Sequence, residues 1–317
     1  MNTLFLFLFL TVASYKIVTK PGSNTYSFKG NFFWKIGRSN QFYHNDLHRI
    51  LFDELPICVY RDKMKRMVAI SDICIHRGAS LSRGKLLPNN CVQCPYHGWE
   101  YNKGIVENIP GCPETKRNFG TPLFLIKEKD GDVFLCPSYD KLTKQGIQPA
   151  CDIFIPPEAK DPSFTKISGS KRINRPFNLV TENVLDIMHI SYVHSFGNSL
   201  SPVPFEIKYE DLNEFSGKTT FHYTAGPTSM SSIIGNVQYV KVENEFYLPD
   251  TTVTRVFAGN IVKTIVTNCY PIGKNESIFH YDLYRNFLTP SIFDSLFYMQ
   301  MEITLREDIH ILNGIYD

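Results

Sequence analysis

CIHRGASLSRGKLLPNNCVQCPYHGW, residues Cys74–Trp99, is the stretch on which the reading of the chain turns. Two short pairs of metal-binding side chains sit inside it. Cys74 and His76 form C-x-H, Cys94 and His97 form C-x-x-H, and 17 residues lie between His76 and Cys94. The bland alternative is a structural zinc site built from Cys91, Cys94 and two nearby histidines. Such sites usually present C-x₂₋₄-C and H-x₃₋₅-H pairs, and a leading C-x-H is unusual among them. Both pairs also carry more than ligands: H-R-G follows the first, and P-Y-H-G-W surrounds the second. Cys91 makes a C-x-x-C with Cys94 but is read as a spectator.

Two thiolates and two imidazoles at this spacing suit a Rieske [2Fe–2S] centre, where His₂ replaces Cys₂ on one iron. Thiolate donates strongly, whereas neutral imidazole leaves its iron less electron-rich and raises the reduction potential. Such a centre takes an electron from a donor and passes it on. C-I-H-R-G-A-S-L-S-R-G followed by C-P-Y-H-G-W-E-Y resembles the Rieske domain of the Rieske non-haem iron oxygenases, terminal oxygenase subunit type. Rieske proteins of respiratory and photosynthetic complexes carry an extra cysteine beside each ligand pair. Here Ala79 and Tyr96 hold those places, which disfavours that branch.

Working outward, residues 30–140 read as short strands and turns. Ile57–Arg61 and Met67–Ser71 have strand composition around a charged turn, and Val133–Cys136 follows Lys129-Asp130-Gly131-Asp132. This predicts a small antiparallel β domain with the ligand loops at one tip. Residues 141–176 carry five prolines and read as a connector, with the domain boundary near 145. From Phe205 to Tyr284, alternation rich in Thr, Val, Ile, Tyr and Phe predicts an antiparallel sheet. Its strands are expected near 219–223, 238–246, 251–257 and 261–269. Helices are expected near 178–194 and 291–313, which makes an α+β second domain. The resemblance implies a helix-grip (START-like) fold there.

Residues 182–194 read E-N-V-L-D-I-M-H-I-S-Y-V-H. Asn183, Asp186 and His189 are spaced by three and make one stripe if the segment is a helix. His194 lies about 140° round an ideal helix from His189. Both bind one metal only if the helix ends, bends or bulges between them, and Ser191 and Tyr192 are the expected point. The rival reading is two satisfied core histidines and a hydrogen-bonding aspartate. N-x-x-D-x-x-H-x-x-x-x-H resembles the mononuclear iron motif of the same oxygenases. The resemblance implies His189 and His194 as Fe(II) ligands. It implies Asp186, with Asn183 beside it, as a catalytic bridge to a cluster histidine of a neighbouring subunit. A 2-His-1-carboxylate site also needs an acid. Asp294, Glu302, Glu307 and Asp308 are candidates. Asp308 shares a helical stripe with Met301, Leu305 and Leu312, and Glu307 points away by about 100°. R-E-D-I-H-I-L resembles the family's closing acidic motif, and Asp308 is chosen. His44, His48, His222, His280 and His310 lack ligand spacing and read as structural.

At 317 residues the chain holds two domains of ordinary size, and 43% hydrophobic and 14% aromatic content allows a sizeable core. A net charge of +2 offers no nucleic-acid signal. Of eight cysteines, six (Cys58, Cys91, Cys112, Cys136, Cys151 and Cys269) read as buried apolar residues rather than disulfides. The Leu/Phe run at residues 2–14 is too short for a confident transmembrane helix. It reads either as a membrane-contacting or processed leader or as an ordinary terminus, and it leaves the compartment open.

The expected organisation is therefore a leader at 1–29, a Rieske domain at 30–145 and a mononuclear iron domain at 146–317. The resemblance, nearest to pheophorbide/chlorophyllide oxygenases and O-demethylases, implies hydroxylation, demethylation or desaturation of a bulky apolar ring substrate with O₂. It also implies a separate ferredoxin or flavin reductase and a homotrimer. A Rieske electron carrier with a non-catalytic second domain is the rival of another class.

Overall fold

The structure, a computed structural model, describes residues 25–26, 31–112, 118–227 and 229–315. Internal contacts divide the chain into two units. Of the described residues, one unit comprises those within 25–153 together with Pro271–Lys274, and the other those within 154–270 and 275–315. The leader at residues 2–14 lies outside the described residues. Among the described residues no helix is long and apolar enough to cross a membrane.

Six antiparallel strands of the first unit run in the order Trp34–Arg38, Asp132–Cys136, Leu123–Lys129, Met67–Ser71, Leu55–Arg61, Leu47–Phe52. Ile57, Cys58, Val59 and Tyr60 are each almost without exposure, so this β-branched and aromatic run is covered on both faces. The predicted turn after Arg61 is built by Asp62, whose carboxylate accepts the Arg66 amide and guanidinium, both at 2.9 Å. A four-stranded sheet follows, Lys85–Leu86, Val92–Gln93, Glu100–Asn102, Ile105–Asn108. Cys74 and Cys94 join a core with Cys58, Tyr60, Ile70, Leu81, Val92 and Tyr101. Both ligand loops thus rise from packed strands.

The second unit contains a seven-stranded sheet ordered Thr165–Ile173, Glu276–Arg285, Ile261–Gly273, Thr251–Ala258, Tyr239–Tyr247, Ser216–Thr224, Phe205–Asn213. Each strand expected from alternation is present. One expectation fails: the connector read at 141–176 contains Thr165–Ile173. Its sequence, TKISGSKRI, buries only Ile167 and Ile173 among mostly polar residues. It is a strand because Glu276–Arg285 pairs with it over all nine residues, a distant partner that local composition does not reveal.

Among the described residues, four α-helices accompany the sheet: α1 (Phe177–Leu185), α2 (Ile190–Val193), α3 (Met230–Ile233) and α4 (Asp294–Leu312). The single helix expected over 178–194 is broken, and earlier than Ser191–Tyr192, which lie inside α2. Asp186 ends α1 in an extended conformation, φ −70° and ψ 115°. Its carboxylate accepts the Met188 amide at 2.8 Å, a local bond that competes with helix continuation. Asn183, Asp186 and His189 therefore do not share one helical stripe. On α4 the expected stripe is present: Phe297, Met301, Leu305, Asp308 and Leu312 are buried. None of the eight cysteines forms a disulfide. Cys58, Cys91, Cys136 and Cys269 are buried, but Cys112 is exposed and Cys151 half-buried. Cys112 follows Pro110-Gly111 in a loop, where residue type is a weak guide to depth.

Candidate functional site

The two ligand loops share one backbone design. In the first, the Cys74 amide donates to Ala79 O and the Gly78 amide to Cys74 O, both at 2.8 Å. In the second, the Cys94 amide donates to Trp99 O at 2.8 Å and the Gly98 amide to Cys94 O at 3.2 Å. Gly78 and Gly98 take φ of 73° and 71°, the left-handed region in which a side chain is strained. That requirement explains why both motifs place Gly four residues after Cys. Cys74 and Cys94 are 2% and 3% exposed and lie together in one core cluster. His76 and His97 are exposed, with ring centroids 4.6 Å apart. Trp99 stacks on His76 at 4.8 Å.

The thiols are thus paired with each other, and so are the imidazoles. The four groups do not converge on one point as tetrahedral zinc requires; among the described residues such convergence is confined to a different set. Two pairs side by side fit a binuclear group with sulfur ligands on one metal and nitrogen ligands on the other. Burial, with the Cys74 neighbour, pushes the Cys94 thiol up; burial also pushes the His97 imidazole down, helped by His76 and Arg77. The Cys91 thiol instead points at Glu107 Oε2, 3.7 Å away.

Two supports of these loops escaped sequence reasoning. Tyr101 OH accepts the Ile75 amide at 3.2 Å and lies 3.1 Å from Cys74 Sγ, to which it donates when the sulfur is a thiolate. Asp72 is buried and accepts from Ser80 Oγ at 2.6 Å, Ser82 Oγ at 3.0 Å and Arg49 Nε at 3.1 Å. The S-x-S after the first ligand pair was the available signal, since hydroxyls on alternate residues need an acceptor.

The second convergence is His189, His194 and Asp308. His189 Nε2 and His194 Nε2 are 3.1 Å apart, and Asp308 Oδ1 stands 3.6 and 3.5 Å from them. Three ligands at right angles and about 2.1 Å from a metal would lie roughly 3 Å apart, the geometry of a 2-His-1-carboxylate face. Asp308 Oδ1 is buried with no hydrogen-bond partner, and a buried carboxylate oxygen without one is costly. The residues therefore fit a cation. His189 begins α2 and His194 ends it, so the two rings meet across one short turn.

Glu307 departs from expectation. It was placed about 100° away from the site, yet its carboxylate accepts from His194 Nδ1 at 3.1 Å and from the Ser195 amide at 3.2 Å. The cause is α2, which lies beside α4 and brings His194 to Glu307 from the flank. Burial lowers the His194 pKa, opposed by Asp308 and Glu307. Asp186 Oδ2 is 3.8 Å from His189 Nδ1. Burial works against its charge, but His189 and the Met188 amide outweigh it and hold Asp186 below the usual carboxylate range. Asn183 is on α1 and does not line the cavity described next. Glu302 pairs with Lys171 at 2.7 Å, and Asp294 pairs with Arg285.

A cavity of about 140 Å³ opens beside these three residues. Val184, Ile190, Phe221, Val242, Ile265 and Leu305 supply much of its wall. Its polar lining includes Asn244, bonded to Val184 O and Thr254 Oγ1, Gln300, Lys263, and the hydroxyls of Ser229, Ser231, Thr254, Thr267 and Thr304.

Comparison with known proteins follows the same division. Residues 33–122 match the Rieske [2Fe–2S] domain, and residues 173–317 match the vanillate O-demethylase oxygenase C-terminal domain. Chlorophyllide a oxygenase of Chlamydomonas reinhardtii is 33% identical over 171 residues, 53% of this chain and 25% of that protein. The oxygenase component of dicamba O-demethylase from Stenotrophomonas maltophilia is 31% identical over 152 residues, 47% of this chain and 42% of that one. The chain thus spans less than half the length of these relatives. The crystal structure of dicamba monooxygenase bound to dicamba superposes with a TM-score of 0.74 at 19% identity, covering 91% of this chain and 88% of the other. At that identity the likeness establishes the α+β fold, an N-terminal β domain followed by a helix-grip domain.

Proposed function

Because both its domains place the chain among the Rieske non-haem iron oxygenases, we propose that it is a terminal oxygenase acting on a bulky apolar ring substrate. A [2Fe–2S] cluster on Cys74, His76, Cys94 and His97 would supply one-electron storage, and Fe(II) on His189, His194 and Asp308 would supply O₂ activation. We assign these groups to the units read from sequence, the cluster before residue 145 and the mononuclear iron after it. The carrying observation is the triangle His189–His194–Asp308, with an orphaned carboxylate oxygen, beside an apolar cavity.

The chain's own residues do the rest. His76 and His97 present their rings to solvent, where a donor or a neighbouring chain reaches them. Glu307 accepts from His194 Nδ1 and so leaves Nε2 as the free donor atom for metal. Asp186 Oδ2 stands 3.8 Å from His189 Nδ1, beyond hydrogen-bond reach but close enough to favour its charge, while the Asp186 side chain stays 45% exposed. That exposure supports a role as bridge to a cluster histidine of another subunit, and hence a closed homotrimer. The apolar walls shed water and hold a ring by area alone. A ferredoxin or flavin reductase supplies electrons. Residues 2–14 act as a targeting leader or membrane contact, a reading supported by their Leu/Phe run and by the chloroplastic relative.

Iron content tests the proposal. Three irons per chain, one lost on Asp308→Ala, is the expected result. Two irons, unchanged by that substitution, would leave only an electron carrier.

A further inference from the structure

Lys263 is the charged group of the cavity that the chemistry above leaves idle. It lies on the strand Ile261–Gly273, where Lys263, Ile265 and Thr267 alternate toward the cavity. The residues between them face away: Thr264 Oγ1 donates to Glu158 at 2.9 Å, and Val266 packs with Val253 and Tyr284. The lysine's cross-strand partner is Val256, another lining residue. Lys263 is half-buried, and burial pushes its ammonium down to about 8, with no acid opposing it. Among the described residues it makes no hydrogen bond or ion pair. Its one contact as a cation is with the Phe196 ring, whose centroid is 6.0 Å from Nζ, the outer limit of that interaction.

The other charges on the lining are engaged. Asp186 and Asp308 face the two histidines. Asn244 is bonded at both ends, and Thr267 pairs with Thr252 at 2.6 Å. A half-buried ammonium on the wall of a largely apolar cavity, without a counter-ion, is a ready partner for an anion entering that cavity. The position is also informative. Phe196 stacks on His194 with centroids 4.8 Å apart and planes 13° from parallel. The same ring is therefore close to both the ammonium and the metal-side histidine.

We propose that Lys263 anchors a carboxylate of the substrate, whose apolar ring body lies along Phe196, Val256 and Ile265 toward His194. One cation with no arginine beside it matches a singly charged carboxylate better than a phosphate, which draws bidentate or multiple donors. The inference rests on reading this cavity as the substrate site, and it narrows the substrate class to ring compounds bearing an acid.

The test uses matched acid–amide pairs on the full, iron-loaded chain: benzoate with benzamide, 2-naphthoate with 2-naphthamide, 9-anthroate with 9-anthramide. Affinities are measured by equilibrium dialysis without a reductant. At least one acid should bind more tightly than its amide by on the order of tenfold to a hundredfold. Lys263→Met should abolish that preference while leaving amide affinity within about threefold, and Lys263→Arg should retain it. Absence of an acid preference in the native chain overturns the proposal. Its persistence in Lys263→Met also overturns it, since the acid would then sit on iron rather than on the lysine. The outcome separates from the oxygenase reading: two irons with a Lys263-dependent preference retires that reading alone, and three irons without the preference retires this one.

Discussion

The two regions proposed to bind metal are built in opposite ways. The four cluster residues fall within 24 positions, on two loops that each close on themselves by the same pair of backbone hydrogen bonds. His189, His194 and Asp308 come from two helices more than a hundred positions apart in the chain. The first site is stabilised chiefly by local closure and a packed base of Asp72 and Tyr101. The second exists only once α2 and α4 meet. A local site tolerates strain elsewhere, whereas an assembled one depends on every element that carries it.

The largest expected effect breaks the first region without touching the second. Cys94→Ser removes a thiolate for which a hydroxyl cannot substitute, so the visible cluster spectrum should vanish, while Cys91→Ser should keep it. Bleaching by Cys91→Ser with colour retained in Cys94→Ser would reverse the ligand assignment. The mirror experiment is Asp308→Ala. Iron should fall by about one per chain with the cluster spectrum intact and product formation at background; full iron would pass the ligand role to Glu307.

Smaller effects sharpen the comparison by probing support rather than ligands. Glu307→Gln keeps the shape but weakens the bond that orients His194, and should cost roughly 10–100-fold in iron affinity or activity. Asp186→Asn should instead keep iron and slow single-turnover reoxidation of the cluster; normal reoxidation would remove Asp186 from the electron path. At the cluster, Tyr101→Phe deletes the donor to Cys74 Sγ. The cluster should assemble and its reduction potential should fall, because hydrogen bonds to sulfur favour the reduced state; an unchanged midpoint in redox titration would exclude that bond as a tuning element. The smallest change is Gly78→Ala. A methyl there meets nothing within 4 Å, so the cost is that of φ 73° alone, about 1–2 kcal/mol by denaturant unfolding.

Particular residues show what was readable. The Cys/His pairs, the alternating strands and the stripe of Met301, Leu305, Asp308 and Leu312 were visible because each follows from short-range spacing. The helix break was anticipated but misplaced, since Asp186 competes for the Met188 amide before the period fails. Thr165–Ile173 was missed because its partner strand lies more than a hundred residues away. Glu307 was dismissed by a helical wheel, which describes one helix and not its neighbour.

By itself the sequence determined the kind of chemistry: soft and nitrogen ligands at cluster spacing, glycines where the loops need positive φ, and histidines and acids on apolar segments. Only the tertiary structure decided that Glu307 also meets the histidines and orients His194, and that Lys263 lines the cavity. The physical reason is range. Ligand type, turn geometry and periodicity act over a few residues of backbone, whereas the packing of α2 against α4 and the alternation of a strand toward one face of a sheet are settled by burial summed over the whole domain.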